Sequence, residues 1–251
     1  MKLLYAFAAF VLGLSGQTLA PPLAGTLLDA EGRIALLHGV MGNLLPPEFA
    51  VVPIEIQDEV ILCGAFGRSG GVLKTASHLV LLNNQLSVVS IQSAPDGKAL
   101  FSFSSDGTPA WVLYIEEAEL MNISSGASTT IRGVVALGPS SSSSVQLLSR
   151  IGQQLWAGTV SAPAQIAIPG SDPAAFFQLG WLSTTPSGLI WSPAGSTAPT
   201  REIPVPEPVQ SIQMTASDTV SINGRWLLNA RFQLLEIPGM RRKAPKPEAH
   251  P

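Results

Sequence analysis

The strongest constraint on this chain is a rhythm of short β-prone runs broken by turn residues, clearest over residues 93–115 (SAPDGKALFSFSSDGTPAWVLYI). Two Asp-Gly pairs, Asp96 with Gly97 and Asp106 with Gly107, are each followed by a run rich in β-branched and aromatic residues. Asp-Gly suits turns that need a positive φ, so residues 87–92 (SVVSIQ), 99–103 (ALFSF) and 110–115 (AWVLYI) predict an antiparallel meander. Residues 119–123 (ELMNI) add a fourth run, and four such strands make one propeller blade.

The unit recurs. Residues 209–237 repeat the SIQ of residues 90–92 and the same order of turns and strands, and two further stretches between them begin at Ser128 and Ala164. Aligning Ile91, Ile131, Ile168 and Ile212 gives spacings of 40, 37 and 44 residues, close to the roughly 40–45 residues of a four-stranded propeller repeat. The 215 residues from 25 to 239 hold five such units. The expected fold is all-β, a small β-propeller of about five four-stranded blades. A β-sandwich is the competing architecture, disfavoured because sandwiches lack such internal self-similarity. With 23 Gly and 21 Pro, few windows could sustain a helix.

Residues 93–101 (SAPDGKALF) resemble the S-P-D-G-K-x-L-x-F turn of WD40-like and TolB-like β-propeller repeats. The resemblance implies a propeller and assigns no activity to any residue. The Trp-Asp pair that ends many WD40 blades is absent. Trp111, Trp156, Trp181, Trp191 and Trp226 are expected to pack between blades. An N-terminal strand within residues 26–38 is expected to close the ring by completing the blade formed by residues 209–237.

The chain divides into three parts. Residues 1–20 carry Lys2, an apolar run to about Leu14 and then small residues, the pattern of a secretory signal peptide cleaved after Ser15 or Ala20. Residues 21–240 form the propeller domain, and residues 241–251 are a basic, Pro-rich tail expected to be disordered. The apolar run is shorter than the about 20 residues a helix needs to cross a bilayer, so no mature membrane span is expected and the chain reads as secreted or periplasmic. Cys63 is the one cysteine, which rules out an internal disulfide and suits a small apolar position. A net charge of -3, with no basic stretch interleaved with aromatics, argues against nucleic acid.

Chemistry-bearing motifs are sparse. Residues 67–71 (GRSGG) match G-x-S-x-G and make Ser69 the one catalytic candidate, but the elbow needs a following helix and VLKTASHLVLL reads as a strand pair. His38, His78 and His250 have no metal-ligand spacing, and His78 has no carboxylate neighbour in sequence. Glu116, Glu117 and Glu119 read as a solvated strand junction, with calcium binding as the sharper reading. No metal or cofactor is expected. The favoured function is a monomeric binding or scaffold module that contacts a protein or a surface polysaccharide. A calcium-dependent propeller hydrolase or lyase is the alternative, and a structural part of an envelope assembly is a third reading. Mass spectrometry of the exported chain is expected to show loss of the first 15 to 20 residues; a chain retaining Met1 overturns the signal peptide.

Overall fold

The computed structural model describes residues 22–240 except 30, 41–42, 196–199 and 217–218, so the stretch read as a signal peptide and the basic tail lie outside the described residues. Apart from one 3₁₀ turn, Ile54–Ile56, its elements are 24 β-strands in six antiparallel sheets. The first sheet holds β1 (Leu23–Leu28), β2 (Ile34–Val40) and two short pieces, β3 (Asn43–Leu44) and β4 (Glu48–Phe49), that both pair with β2. The second runs β5 (Ile61–Phe66), β6 (Gly70–Thr75), β7 (His78–Asn83) and β8 (Val88–Ser93). The third runs β9 (Ala99–Phe103), β10 (Pro109–Tyr114), β11 (Glu119–Asn122) and β12 (Ser128–Thr130). The fourth is β13 (Val134–Ser140), β14 (Val145–Ile151), β15 (Gln154–Thr159) and β16 (Ala162–Ile168). The fifth is β17 (Ser171–Phe177), β18 (Gly180–Thr185), β19 (Gly188–Pro193) and β20 (Arg201–Pro204). The sixth is β21 (Ile212–Ala216), β22 (Thr219–Ile222), β23 (Trp226–Leu228) and β24 (Leu234–Glu236).

The fold is a β-propeller with six blades rather than five. Five is nevertheless the number of strands in its innermost ring: β5, β9, β13, β17 and β21 touch in succession, and β21 returns to β5. The Gln213 side-chain amide seals that junction by donating to the Gly64 carbonyl at 3.1 Å. The sixth sheet is the N-terminal one, which sits as a wedge behind the junction. β1 touches both β5 and β21 but runs against them. Gly25 lies against Thr215 near the end of β21, Leu28 meets Gly64 midway along β5, and Gly32 meets Ile61 at the start of β5. The first blade therefore has the strand order of the others without their innermost strand.

This corrects the expected ring closure. Residues 26–38 do not complete the last blade; they pair with each other in a sheet of their own, and the ends of the ring meet by side-chain packing. Leu27, Leu37 and Leu44 of the first blade bury against Leu227 and Ile237 of the last. Equivalent apolar clusters fill the other five gaps between neighbouring blades. Because each blade has a neighbour on both faces, successive residues are buried in opposite directions: Leu27 faces the last blade and Leu28 the second. That is why strands such as β6 (GGVLKT) and β22 (TVSI) are buried at every position.

Four of the five tryptophans take up the packing role expected of them, and Trp156, half-buried on β15, joins none of these clusters. Trp111 joins the cluster between the third and fourth blades, Trp181 the next, and Trp191 and Trp226 the one after. The serine run is also structural. Its turn closes on itself through the Ser141 amide and Ser144 carbonyl, and the third blade clasps it: the Trp111 indole donates to the Ser141 carbonyl at 3.0 Å and the Asn122 amide to that of Ser142 at 3.3 Å.

Gly64 stands where the wedge and the inner ring meet. A β-carbon there would lie 2.8 Å from the Leu73 side chain and 2.9 Å from both Leu28 and the Val72 carbonyl oxygen, closer than real contacts. Gly64→Ala is expected to cost about 1–3 kcal/mol, read as a fall in the urea midpoint; an unchanged midpoint contradicts this account of closure.

Candidate functional site

The inner strands surround a cavity of about 1190 Å³. Its wall is apolar, with Leu62, Phe101, Phe103, Val135, Phe176 and Met214 drawn from all five strands. The inner strands carry a single charged residue, Asp172, and its carboxylate pairs with Arg150 at 2.5 Å. Charge is confined to the mouth, where the start of each inner strand meets the turns of neighbouring blades.

Three groups line this mouth. The Asp29 carboxylate accepts from the amides of Glu31 and Arg33 and from the Arg33 guanidinium at 2.6–2.9 Å, which holds the β1–β2 turn in place. Glu207 accepts from the Trp226 indole at 3.1 Å and pairs with Arg225 at 3.5 Å, which bonds onward to Glu236. Lys98, exposed at the head of β9, is in no ion pair among the described residues. None of these mouth residues stood out in the sequence: the Asp29–Arg33 pair is local to one turn, but Glu207 lies in the connector after β20 and meets Arg225 and Trp226 from another turn.

Cys63 lines the cavity wall on β5. It is half-buried rather than fully buried; its sulfur accepts from the Ala99 amide at 3.2 Å, and burial pushes the thiol above its ordinary value. It is therefore a poor nucleophile.

Ser69 lies elsewhere, in the turn between β5 and β6. Its hydroxyl donates to the Asp106 carbonyl at 2.5 Å and its amide to the Gly107 carbonyl, so it ties the second blade to the third. A strand follows it, and His78 sits beyond the far end of that strand, a span of roughly 20 Å at about 3.3 Å per residue. His78 does have a carboxylate partner, contrary to the sequence reading: its Nδ1 is 2.8 Å from Glu59, a residue 19 positions away. Hydrogen bonds from Thr75 first, then His78 and Ser77, hold the Glu59 carboxyl below its usual range. Ser77 and Glu59 both approach the same ring nitrogen, at 3.2 and 2.8 Å, whereas a nucleophilic triad needs them on opposite nitrogens. Among the described residues no three His, Cys, Asp or Glu side chains gather as a metal would require.

No known protein family matches this sequence, and no curated protein does. Solved structures do share its shape. A protein of unknown function from Bacteroides caccae is 8% identical, with a TM-score of 0.50 over 87% of this chain and 94% of its own. The extracellular domain of a proposed one-component system from B. thetaiotaomicron is 12% identical, with a TM-score of 0.48 over 88% of this chain and 33% of its own. Hsv2 from Kluyveromyces lactis is 11% identical, with a TM-score of 0.44 over 70% of this chain; the chain spans 62% of the Hsv2 structure. The likeness is one of fold alone. No helix among the described residues is long and apolar enough to cross a membrane.

The turn that anchors Ser69 is sensitive to acid. Asp106 accepts from the Ser104 and Thr108 hydroxyls and from the Thr108 amide, and its carboxyl is held down to about 2 from an ordinary 3.8. A folded value below the unfolded one means its stabilisation is complete above about pH 4 and is lost as pH falls towards 2. The stability gap between the native chain and Asp106→Asn is expected to narrow across that window in urea titrations; a gap independent of pH contradicts the assignment.

Proposed function

We propose that the chain is an exported binding module, secreted or periplasmic, that engages a partner at the mouth of the central cavity and performs no chemistry of its own. The observation that carries this reading is the wall of the cavity: five inner strands contribute apolar side chains, while fixed charges of both signs ring the entrance. A concave apolar site with a few oriented polar groups at its edge is the usual form of a binding pocket. Of the two partner classes considered, a protein suits this wall better than a polysaccharide. An apolar side chain gains from entering it, whereas a sugar hydroxyl would lose its hydrogen bonds to water without replacement.

Export is supported by the N-terminal sequence, which lies outside the described residues. Ala174→Trp adds a large ring at a position of β17 that lines the cavity and borders the cluster between the fourth and fifth blades, and a urea midpoint equal to that of the native chain confirms that it folds. When the immobilised chain is exposed to an envelope extract of its own cells, the proteins retained by the native form are expected to be lost from Ala174→Trp. Equal retention by both forms overturns the cavity as the binding site.

A further inference from the structure

Each propeller blade ends in a strand whose outer edge has no partner in its sheet, and such edges pair with other chains unless something blunts them. Five of the six outer edges here are blunted. β12 and β24 have three residues, and β3 and β4 two each. β16 has Pro163 at its second position, and β20 ends on Pro204 after the charged Arg201 and Glu202. β8 is the exception. It runs for six residues, VVSIQS, with neither proline nor charge, and Val89 and Ile91 stand 66% and 40% exposed. Its one irregularity is a bulge at Val89, where Val88 faces Leu82 and Ser90 faces Leu81; from Ser90 to Ser93 the ladder is regular. The Ala94 amide extends it by bonding to the Ser77 carbonyl.

The strand edge also has apolar neighbours. The segment entering the second blade contributes Ile56 to the cluster that Ala50, Val52, Leu86 and Val88 pack against, while Val51 is 91% and Ile54 74% exposed. These side chains are uncovered in the single chain.

We infer that β8 is a self-association edge, through which two copies pair antiparallel about a two-fold axis near Ile91 and join two four-stranded sheets into one of eight. A second copy is the occupant because the edge is its own complement. A two-fold axis near Ile91 sets each free N–H opposite a free C=O of the same strand, pairs Ile91 with its own mate and Val89 with Ser93, and brings no charge against charge. Val89 and Ile91, exposed on that strand, add apolar burial to the ladder. The dimer replaces the monomer expected from the sequence and leaves the mouth of the cavity outside the seam.

Sedimentation velocity from low-micromolar to sub-millimolar concentration tests this. The native chain is expected to form a concentration-dependent dimer, and Ile91→Lys, which sets like charges close to the axis, is expected to weaken it at least about tenfold. Gln165→Lys, on the Pro-bearing edge of β16, is expected to leave it unchanged. A urea midpoint equal to that of the dilute native chain confirms that Ile91→Lys folds; Val89→Lys, placed at the bulge, serves if it does not. A monomer at every concentration, or a dimer equally tight in the Lys variants, overturns the inference.

Discussion

Six sheets that are apolar on both faces have to close into a ring, because any gap would open one of the clusters between blades to water. Every other feature follows from that requirement. It accounts for strands buried at each position rather than at alternate ones, and for the tryptophans between blades. It also accounts for the wedge. Five inner strands close around the cavity, and the sixth sheet fills the widening space behind β5 and β21 without entering the inner ring. Closure then depends on dispersion and apolar burial across the first and last blades, supported by one side-chain hydrogen bond from Gln213.

The separation of wall from mouth gives the molecule its chemical character. Inner strands built from ILCGAF, ALFSF and IQMTA offer a wall with almost nothing that titrates. Charges sit on turns, where water screens them and paired groups fix their geometry, as with Asp29 and Arg33. The buried Lys74 departs from this rule. Its ammonium, fully enclosed between strands, is served by the carbonyls of Thr75 and Ala76 at 2.5 and 3.3 Å rather than by a carboxylate.

Much of this architecture is legible in the sequence where the signal is local. Both glycines of the Asp-Gly pairs take the positive φ expected, 94° at Gly97 and 83° at Gly107; Asp106-Gly107 joins the hairpin of β9 and β10 as expected, whereas Asp96-Gly97 connects β8 to β9 of the next blade rather than forming a hairpin. What a turn signal cannot say is whether it joins strands within a blade or between blades. SVVSIQ therefore proved to be the outer strand of the second blade, one step out of phase with the meander assigned to it. Ile91 and Ile168 fall on outer strands and Ile131 directly follows one, but Ile212 begins an inner strand, so the last spacing joined unlike positions. The five-blade count rested on a unit of about 43 residues, whereas successive inner strands start 38, 35, 37 and 41 residues apart, so the same length holds a sixth sheet. The Glu59–His78 pair spans 19 residues, and at the mouth Glu207 meets Arg225 and Trp226 across 18 and 19, so no short window contains both partners of these contacts.

The wedge also bears on how the chain reaches its native state. The hydrogen bond that seals the inner ring joins residues 149 positions apart, and the packing of Leu27 against Leu227 and Ile237 spans still more of the sequence. Contacts of such long sequence separation form late and slowly, because the entropy of closing the intervening loop must be lost before they stabilise anything. The first sheet therefore stays half-covered until the last strands have been made. A chain of this kind completes its ring only when both of its ends are present together.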